Sequence, residues 1–481
     1  MKKLGGIDAS FLYMETPETP MHVAGLTFVE LPAGYTGKFY EDYKAHIGRR
    51  MHLVPIFSQK LVPVPFEIDH PVWVDDPEVD LDYHIRHLDL SAPGSMEQLE
   101  ELVGRLHSNF LDRSRPLWEF YVIEGLQNGR VAIYTKMHHA AVDGGAGMAL
   151  NSAMYDLTPE PRQVEEPSAK LRTASKQLDP AQLLGTAYSN FLNQQIKAIQ
   201  AIPDVWKTIA SFATPAPGAP LLPQPPELLI APKTRLNGTI TSQRIYAARS
   251  MPLAEAKRIS KKTGTTLNDV VMAICGGALR RYLDEKHDLP EAPLVTFVPV
   301  SLRQPGNTDT NNQVFGMMCS IATNVADPLE RLNAIGASSS SAKQVTGKIK
   351  DVAPRDFALF GAPYLLQGLI GLYGRSKIAD QLPPVANVTI SNVPGPQVPL
   401  YLAGAKLLNL YPVSIPAHGV GLNITVQSYC GALDFGFTAC RRTVPDIRKL
   451  AEYHIDALRE LSDAVPAEPK PSKATQATVQ P

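Results

Sequence analysis

Six prolines fall within residues 214–226: Pro215, Pro217, Pro220, Pro223, Pro225 and Pro226. Proline has no amide proton to donate and fixes φ, so neither a helix interior nor a sheet interior tolerates that density. The stretch therefore reads as an extended, semi-rigid linker. It interrupts a chain of 481 residues, more than one hydrophobic core ordinarily holds. The expected organisation is a first block over residues 1–157 and a Pro-rich crossover over 158–236. A second block follows over 237–463, and then a disordered tail over 464–481 rich in Pro, Lys, Thr and Ala.

Both blocks mix strand and helix patterns. In the first, Val23–Glu30, Leu117–Ile123 and Val131–Met137 read as strands. Ser95–Phe110 reads as an amphipathic helix capped by Ser95, and a further helix is expected over 145–154. In the second, Ile240–Arg249, Leu294–Val300 and Val385–Ser391 read as strands. Pro299 suggests that pairing stops within the second of these. Residues 421–429 and 433–438 read as an antiparallel pair around Cys430-Gly431. Helices are expected over Leu253–Lys262, Val270–Tyr282 and Val444–Ser462. Between the blocks, Leu184, Tyr188, Phe191, Leu192, Ile196, Ile199 and Ile202 recur at helical spacing. That helix either packs on the body of the protein or lies on a lipid surface.

Charge narrows the partners. There are 46 basic and 47 acidic residues, a formal net charge of −1, which gives no electrostatic footprint for nucleic acid. The four cysteines, Cys275, Cys319, Cys430 and Cys440, show no C-x-x-C spacing, which suits a reduced, cytoplasmic setting. The N-terminus lacks the apolar run of a signal peptide. Residues 357–374 carry no charge, but Pro363, Gln367 and six glycines or alanines make a buried or interfacial helix the better reading than a membrane span.

The chemistry concentrates at His138-His139-Ala140-Ala141-Val142-Asp143-Gly144, which follows a strand pattern. A neutral imidazole accepts protons near pH 7. Adjacent strand residues point to opposite faces, so one histidine can face a cleft while the other braces the loop. The same residues admit a metal site, although adjacent histidines diverge where zinc sites place them four apart on one helix face. Gly145-x-Gly147 begins a dinucleotide fingerprint, but Leu150 stands at the third glycine position.

From Leu4 to about Leu461 the chain resembles the bacterial wax ester synthase/acyl-CoA:diacylglycerol acyltransferase family. Asp8-Ala9-Ser10-Phe11-Leu12-Tyr13 with Thr19-Pro20-Met21-His22-Val23 looks like its opening. Pro116-Leu117-Trp118, the His-His-x-x-x-Asp-Gly run, Asn268-Asp269 and Asn392-Val393-Pro394-Gly395-Pro396 match its other motifs. The double-histidine motif alone is shared with chloramphenicol acetyltransferase, plant alcohol acyltransferases and peptide-synthetase condensation domains. The remaining set narrows it. The resemblance implies an α/β fold of two chloramphenicol-acetyltransferase-like halves with mixed sheets and a tunnel between them.

It also implies a long-chain acyl group moved from acyl-CoA to a fatty alcohol or diacylglycerol, with His139 as general base and no acyl-enzyme. No Gly-x-Ser-x-Gly elbow offers a nucleophile. Asn268 is the candidate oxyanion or alcohol-positioning donor, with a helix N-cap as its ordinary role. His138, Asp143, Gly144 and Arg303 are assigned structural roles, Asp143 being expected to pair with Arg303. Gly361, Ala362, Gly368 and Gly371 are expected to leave room for acyl or alkyl chains, the alternative being a core helix. No metal or cofactor is expected, acyl-CoA being a substrate. Peripheral contact with the inner membrane face or lipid inclusions is implied, and a homodimer is admitted. The rival readings are transfer to a polyketide or carrier-bound alcohol, and a non-catalytic protein of lipid droplets.

Overall fold

Strand register, more than helix packing, determines where the functional residues lie. The computed structural model describes residues 2–142, 150–165, 229–301, 314–350 and 376–466, together with 185, 188 and 189. Fifteen strands are named among them. In the first half these are β1 (Lys2–Lys3), β2 (His22–Glu30), β3 (Gln59–Val62), β4 (Val72–Asp75), β5 (Ile85–Asp89), β6 (Trp118–Glu124) and β7 (Val131–His138). The second half has β8 (Arg244–Pro252), β9 (Val295–Ser301), β10 (Val314–Ser320), β11 (Val388–Val393), β12 (Tyr401–Leu402), β13 (Ala405–Val413), β14 (Leu422–Tyr429) and β15 (Ala432–Cys440). The helices are α1 (Gly6–Met14), α2 (Phe39–Arg50), α3 (Leu81–His84), α4 (Met96–Ser108), α5 (Leu253–Thr263), α6 (Leu267–Glu285), α7 (Pro328–Lys350) and α8 (Ile447–Ala464).

Two six-stranded sheets carry the fold, ordered β12-β13-β2-β7-β6-β5 and β10-β9-β11-β14-β15-β8. Both are mixed: β5 and β6 are parallel in the first, and β11 is parallel to both β9 and β14 in the second. A small third sheet, β1-β4-β3, carries the start of the chain. In the first sheet β7 is central and every one of its residues is buried. Its odd positions Val131, Ile133 and Met137 join one core cluster, and Ala132 and Tyr134 join the other, so it separates two apolar layers. Lys136 in this strand is fully buried and pairs with Glu119 at 3.0 Å. α6 is apolar nearly all round from Val270 to Leu279, and accordingly forms the centre of the second core.

The fold class expected from the sequence is found, an α/β arrangement of two mixed sheets. One feature was not expected. β12 and β13 come from the second block of sequence yet hydrogen-bond into the first sheet, β13 pairing with β2 from Lys406↔Glu30 to Val413↔Ala24. Division of the chain at residue 236 therefore does not divide the sheets. β13 then passes so close to β15 that a Cβ at Gly436 would lie 1.7 Å from the Pro412 carbonyl oxygen.

Most local readings agree with the structure. Ser95 caps α4 through a full capping box with Gln98. The hairpin of β14 and β15 turns on Cys430 (φ 41°) and Gly431 (φ 85°), a two-residue loop with both central residues left-handed. β9 pairs with β11 only at Thr296 and Phe297, so pairing on that side ends before Pro299, while β10 continues along the other side. Two strands are displaced from their expected bounds: β8 begins at Arg244 rather than Ile240, and β11 at Val388 rather than Val385. The Pro-rich run 214–226, the stretch 357–374 and the tail from 467 lie outside the described residues.

Candidate active site

The strand β7 delivers His138 as its last residue, and His139 opens the turn that follows. Both backbone amides are held from outside the strand. His138 N–H donates to the Leu117 carbonyl at 3.0 Å, and His139 N–H donates to the Met21 carbonyl at 2.9 Å. Leu117 belongs to the Pro-Leu-Trp element. That element packs as expected: Trp118 is fully buried, stacked on His84 with ring centroids 4.3 Å apart, and its indole N–H donates to the Phe57 carbonyl.

The two imidazoles have different surroundings. His138 Nδ1 accepts from the Ala140 amide at 3.1 Å, so Nε2 carries the ring proton and donates to the Glu15 carboxylate at 3.0 Å. Glu15 also accepts from the Met21 amide at 3.1 Å and from Arg113, whose Nη2 lies 2.8 Å away. Burial acts to raise the Glu15 carboxyl pKa. The His138 and Arg113 interactions and the Met21 amide outweigh it and hold the group below its ordinary value. His138 is thereby locked as a brace.

His139 makes no such bond. Its ring stacks on Phe11 with centroids 3.9 Å apart and planes 13° from parallel. Its Nδ1 is buried without a partner of hydrogen-bonding geometry. Burial pushes its pKa down to about 4, the residue's own carbonyl opposing and the neighbouring His138 reinforcing that shift. His139 is therefore neutral at pH 7. One short helix thus supports both histidines, Phe11 of α1 stacking on one and Glu15, the residue closing α1, bonding the other.

Glu15, Phe11 and Arg113 were not singled out in the sequence. Phe11 lies within the quoted N-terminal motif and Glu15 two residues after it, so proximity to a motif was the one available signal. Nothing in the spacing connects Arg113 to Glu15, 98 residues earlier.

Asn268 occupies the first turn of α6, but it is not the cap. Thr266 caps the helix, its hydroxyl accepting from Asp269 N–H at 3.2 Å while Asp269 accepts from Thr266 N–H at 2.9 Å. The cap role weighed for Asn268 is thus filled by Thr266, because Asn268 already lies inside the helix. Among the described residues its side-chain amide makes only a long contact with Met272 Sδ at 3.9 Å. Asp269 is structural, bonded also by the Ser339 hydroxyl at 2.6 Å. Among the described residues Asn268 makes no hydrogen bond or ring contact with either histidine. Asp143, Gly144 and Arg303 lie outside the described residues, as do Gly361, Ala362, Gly368 and Gly371.

Asn392-Val393-Pro394-Gly395-Pro396 ends β11 and packs on the β14–β15 hairpin. Gly395 N–H donates to the Ser428 hydroxyl, and a Cβ at Gly395 would lie 2.2 Å from the Ser428 carbonyl oxygen. All four cysteines are thiols. Among the described residues, the His, Cys, Asp and Glu side chains close enough to share a metal ion are the exposed His87 and Asp89 of β5 and the half-buried Glu124 of β6, and neither motif histidine is among them. Among the described residues no helix is long and apolar enough to cross a membrane.

Residues 4–271 match the wax ester synthase/diacylglycerol acyltransferase catalytic domain, and residues 310–462 match the C-terminal domain of the same family. A Mycobacterium tuberculosis (strain H37Rv) protein named as a diacylglycerol O-acyltransferase is 40% identical over 464 residues, covering 95% of this chain and 99% of the relative. The solved wax ester synthase/diacylglycerol acyltransferase from Marinobacter aquaeolei VT8 superposes with a TM-score of 0.69 at 31% identity, covering 96% of this chain and 100% of that one. The first condensation domain of the calcium-dependent antibiotic synthetase shares the fold alone, with a TM-score of 0.54 at 12% identity and 97% coverage of each chain.

Proposed function

The chain belongs to the wax ester synthase/diacylglycerol acyltransferase family and is an O-acyltransferase, and from that premise we propose that it moves a long-chain acyl group from acyl-CoA to a fatty alcohol or diacylglycerol with His139 as general base. The observation that carries the reading is the contrast between the two imidazoles. His138 has both ring nitrogens engaged, whereas His139 is neutral, stacked and bonded to no carboxylate among the described residues.

An aliphatic hydroxyl attacks a thioester only as its proton departs. In the proposed step the alcohol O–H proton passes to His139 as the oxygen bonds to the thioester carbon. The C–S bond then breaks and the proton passes from His139 to the leaving thiolate, giving ester and CoA thiol with no acyl-enzyme. With Nδ1 buried against the protein, Nε2 is the nitrogen that meets substrate. General-base catalysis of this kind contributes about 10²–10⁴-fold. Asn268, whose amide is nearly unengaged, is proposed as the donor to the oxyanion or the alcohol. Asp143 is proposed to pair with Arg303, and Gly361, Ala362, Gly368 and Gly371 to line a tunnel between the halves. Peripheral contact with the inner membrane face or lipid inclusions suits such substrates.

The test is release of CoA thiol from palmitoyl-CoA, with hexadecanol and then with diacylglycerol as acceptor, and isolation of the ester. Thiol release that is independent of any alcohol, or transfer only to an amine, would overturn the substrate assignment.

A further inference from the structure

The outer edge of the first sheet carries a group of side chains that acyl transfer does not use. β5 is the last strand of that sheet and pairs with β6 in parallel, from Ile85↔Phe120 to Asp89↔Glu124. His87 and Asp89 stand two residues apart on β5, so their side chains share a face. Glu124 is the register partner of Asp89 and extends that face onto β6. One ligand-type atom from each of the three side chains lies within 4.8 Å of the others. His87 Nε2 is 2.7 Å from Glu124 Oε2.

The charges around the group are not balanced. Asp89 and Glu124 are like charges directly opposite one another, an arrangement that weakens a strand pair. No lysine or arginine forms an ion pair with either of them among the described residues. Arg86 turns to the other face, toward Glu119 at 3.5 Å and the Tyr121 hydroxyl at 3.4 Å. Lys44 of α2, over the Tyr40 ring, is held by Asp82 at 2.8 Å and Glu41 at 3.2 Å.

The imidazole is held in place independently of the acids. Tyr40 of α2 stacks on the His87 ring, with centroids 5.2 Å apart and planes 20° from parallel. The Tyr40 hydroxyl donates to the Ile85 carbonyl at 3.1 Å, which fixes the stacking ring to the same strand. Two acids alone attract any cation. A positioned imidazole nitrogen beside them selects a transition metal.

We propose that His87, Asp89 and Glu124 bind one zinc ion, which fastens the edge strand β5 to β6. Zinc takes imidazole nitrogen at about 2.0–2.1 Å and carboxylate oxygen at about 2.0–2.2 Å, so tetrahedral ligand atoms sit about 3.4 Å apart. Rotation about side-chain bonds brings the three atoms to that spacing. The hydrogen bond between His87 and Glu124 gives way to two metal bonds, the ring proton resting on Nδ1, and water completes the tetrahedron. Magnesium and calcium, which take oxygen ligands, suit the set poorly. Glu124 lies at the end of β6 away from Trp118, the residue paired with Met137 beside the motif histidines. The site thus goes beyond the acyl-transfer reading, and its test needs no substrate.

The full-length protein is stripped with EDTA, exchanged into metal-free buffer and titrated calorimetrically with zinc chloride. One equivalent binds and the melting temperature rises. His87→Ala, Asp89→Asn and Glu124→Gln each weaken zinc binding by at least roughly 10–100-fold, the cost of losing even an outer-sphere partner of a bound metal. Each also removes the rise in melting temperature. His52→Ala, at an exposed histidine outside the group, changes neither. Cobalt(II) in the unmutated protein gives the intense visible bands of a tetrahedral site, a readout that needs no variant. Absence of saturable zinc binding, or pale octahedral cobalt bands alone, overturns the proposal. Zinc affinity that survives in both His87→Ala and Asp89→Asn marks adventitious binding elsewhere on the surface and overturns it as well. Zinc that is displaced by millimolar magnesium and is indifferent to His87→Ala marks an unselective acidic patch, with the same consequence.

Discussion

At the scale of single residues, the two adjacent imidazoles differ in what holds them. His139→Ala is expected to lower kcat by about 10²–10⁴-fold, with a smaller change in thermal stability that reflects loss of the Phe11 stack. Activity assays with parallel melting curves check this, and an active His139→Ala protein would end the assignment. Glu15 is a positioning residue: it touches His138 and Met21, and through Met21 the backbone of His139. Glu15→Gln keeps the shape but removes the charge between Arg113 and His138. The expected result is a loss of about 1–3 kcal/mol in stability and a fall in kcat of up to about 10²-fold with KM unchanged. A fall in stability alone, with kcat intact, would leave Glu15 a purely structural residue. The sequence carried the histidine pair and the expectation that its two rings have unequal surroundings, because alternation along a strand is a local property. It carried no trace of the Arg113–Glu15 pair, because that contact exists only once α1 lies against β7.

At the scale of elements, caps and close approaches account for what the sequence did and did not disclose. α4 begins at a capping box written in consecutive residues, Ser95 to Gln98, so its start was legible. Ser95→Ala is expected to cost about 1 kcal/mol, read from a denaturant midpoint, and to leave kcat unchanged. The head of α6 was misjudged by two residues, since Thr266, Asn268 and Asp269 are all good capping residues and only the hydrogen bonds choose among them. Gly395 belongs to a motif, but its reason is tertiary: the backbone of Ser428 lies where a Cβ would sit. Gly395→Ala is therefore expected to destabilise the protein by about 1–3 kcal/mol, with chemical denaturation as the check. A neutral result would mean that the corner after β11 moves freely away from the hairpin.

At the scale of the whole molecule, buried histidines make stability depend on pH. His22, His46 and His454 each donate one ring proton to a backbone carbonyl and leave the second nitrogen buried and unpartnered. His107 is enclosed between the Tyr134 hydroxyl and the Ser414 carbonyl. Burial pushes His46 and His454 down to about 4, as it does His139, and His107 down to about 3, while His22 also falls well below its ordinary value. Unfolded histidine takes up a proton near pH 6.5. Between there and about pH 4 the unfolded chain binds more protons than the folded one, so stability falls as pH falls. The slope is up to about 1.4 kcal/mol per pH unit for each such group. Urea midpoints from pH 7.5 to 4.5 should decline steadily below 6.5, and a flat profile would show that these rings protonate without unfolding. The same enclosure leaves His139 neutral across that range.

Local pattern sufficed for the mixed strands and helices of both blocks and the His138-His139 turn, and the motifs for the family and, through it, the α/β class. Periodicity, caps and motifs are written in neighbouring residues, and short-range sterics enforce them. Tertiary structure alone decided that β12 and β13 cross into the first sheet, that Phe11 and Glu15 contact the two histidines, and that the buried Arg244 guanidinium bonds the Glu18 carbonyl. Each of those facts joins residues far apart in the chain. The free energy that selects them comes from burial and pairing between surfaces that meet only after the elements have formed, and no local spacing records which surfaces will meet.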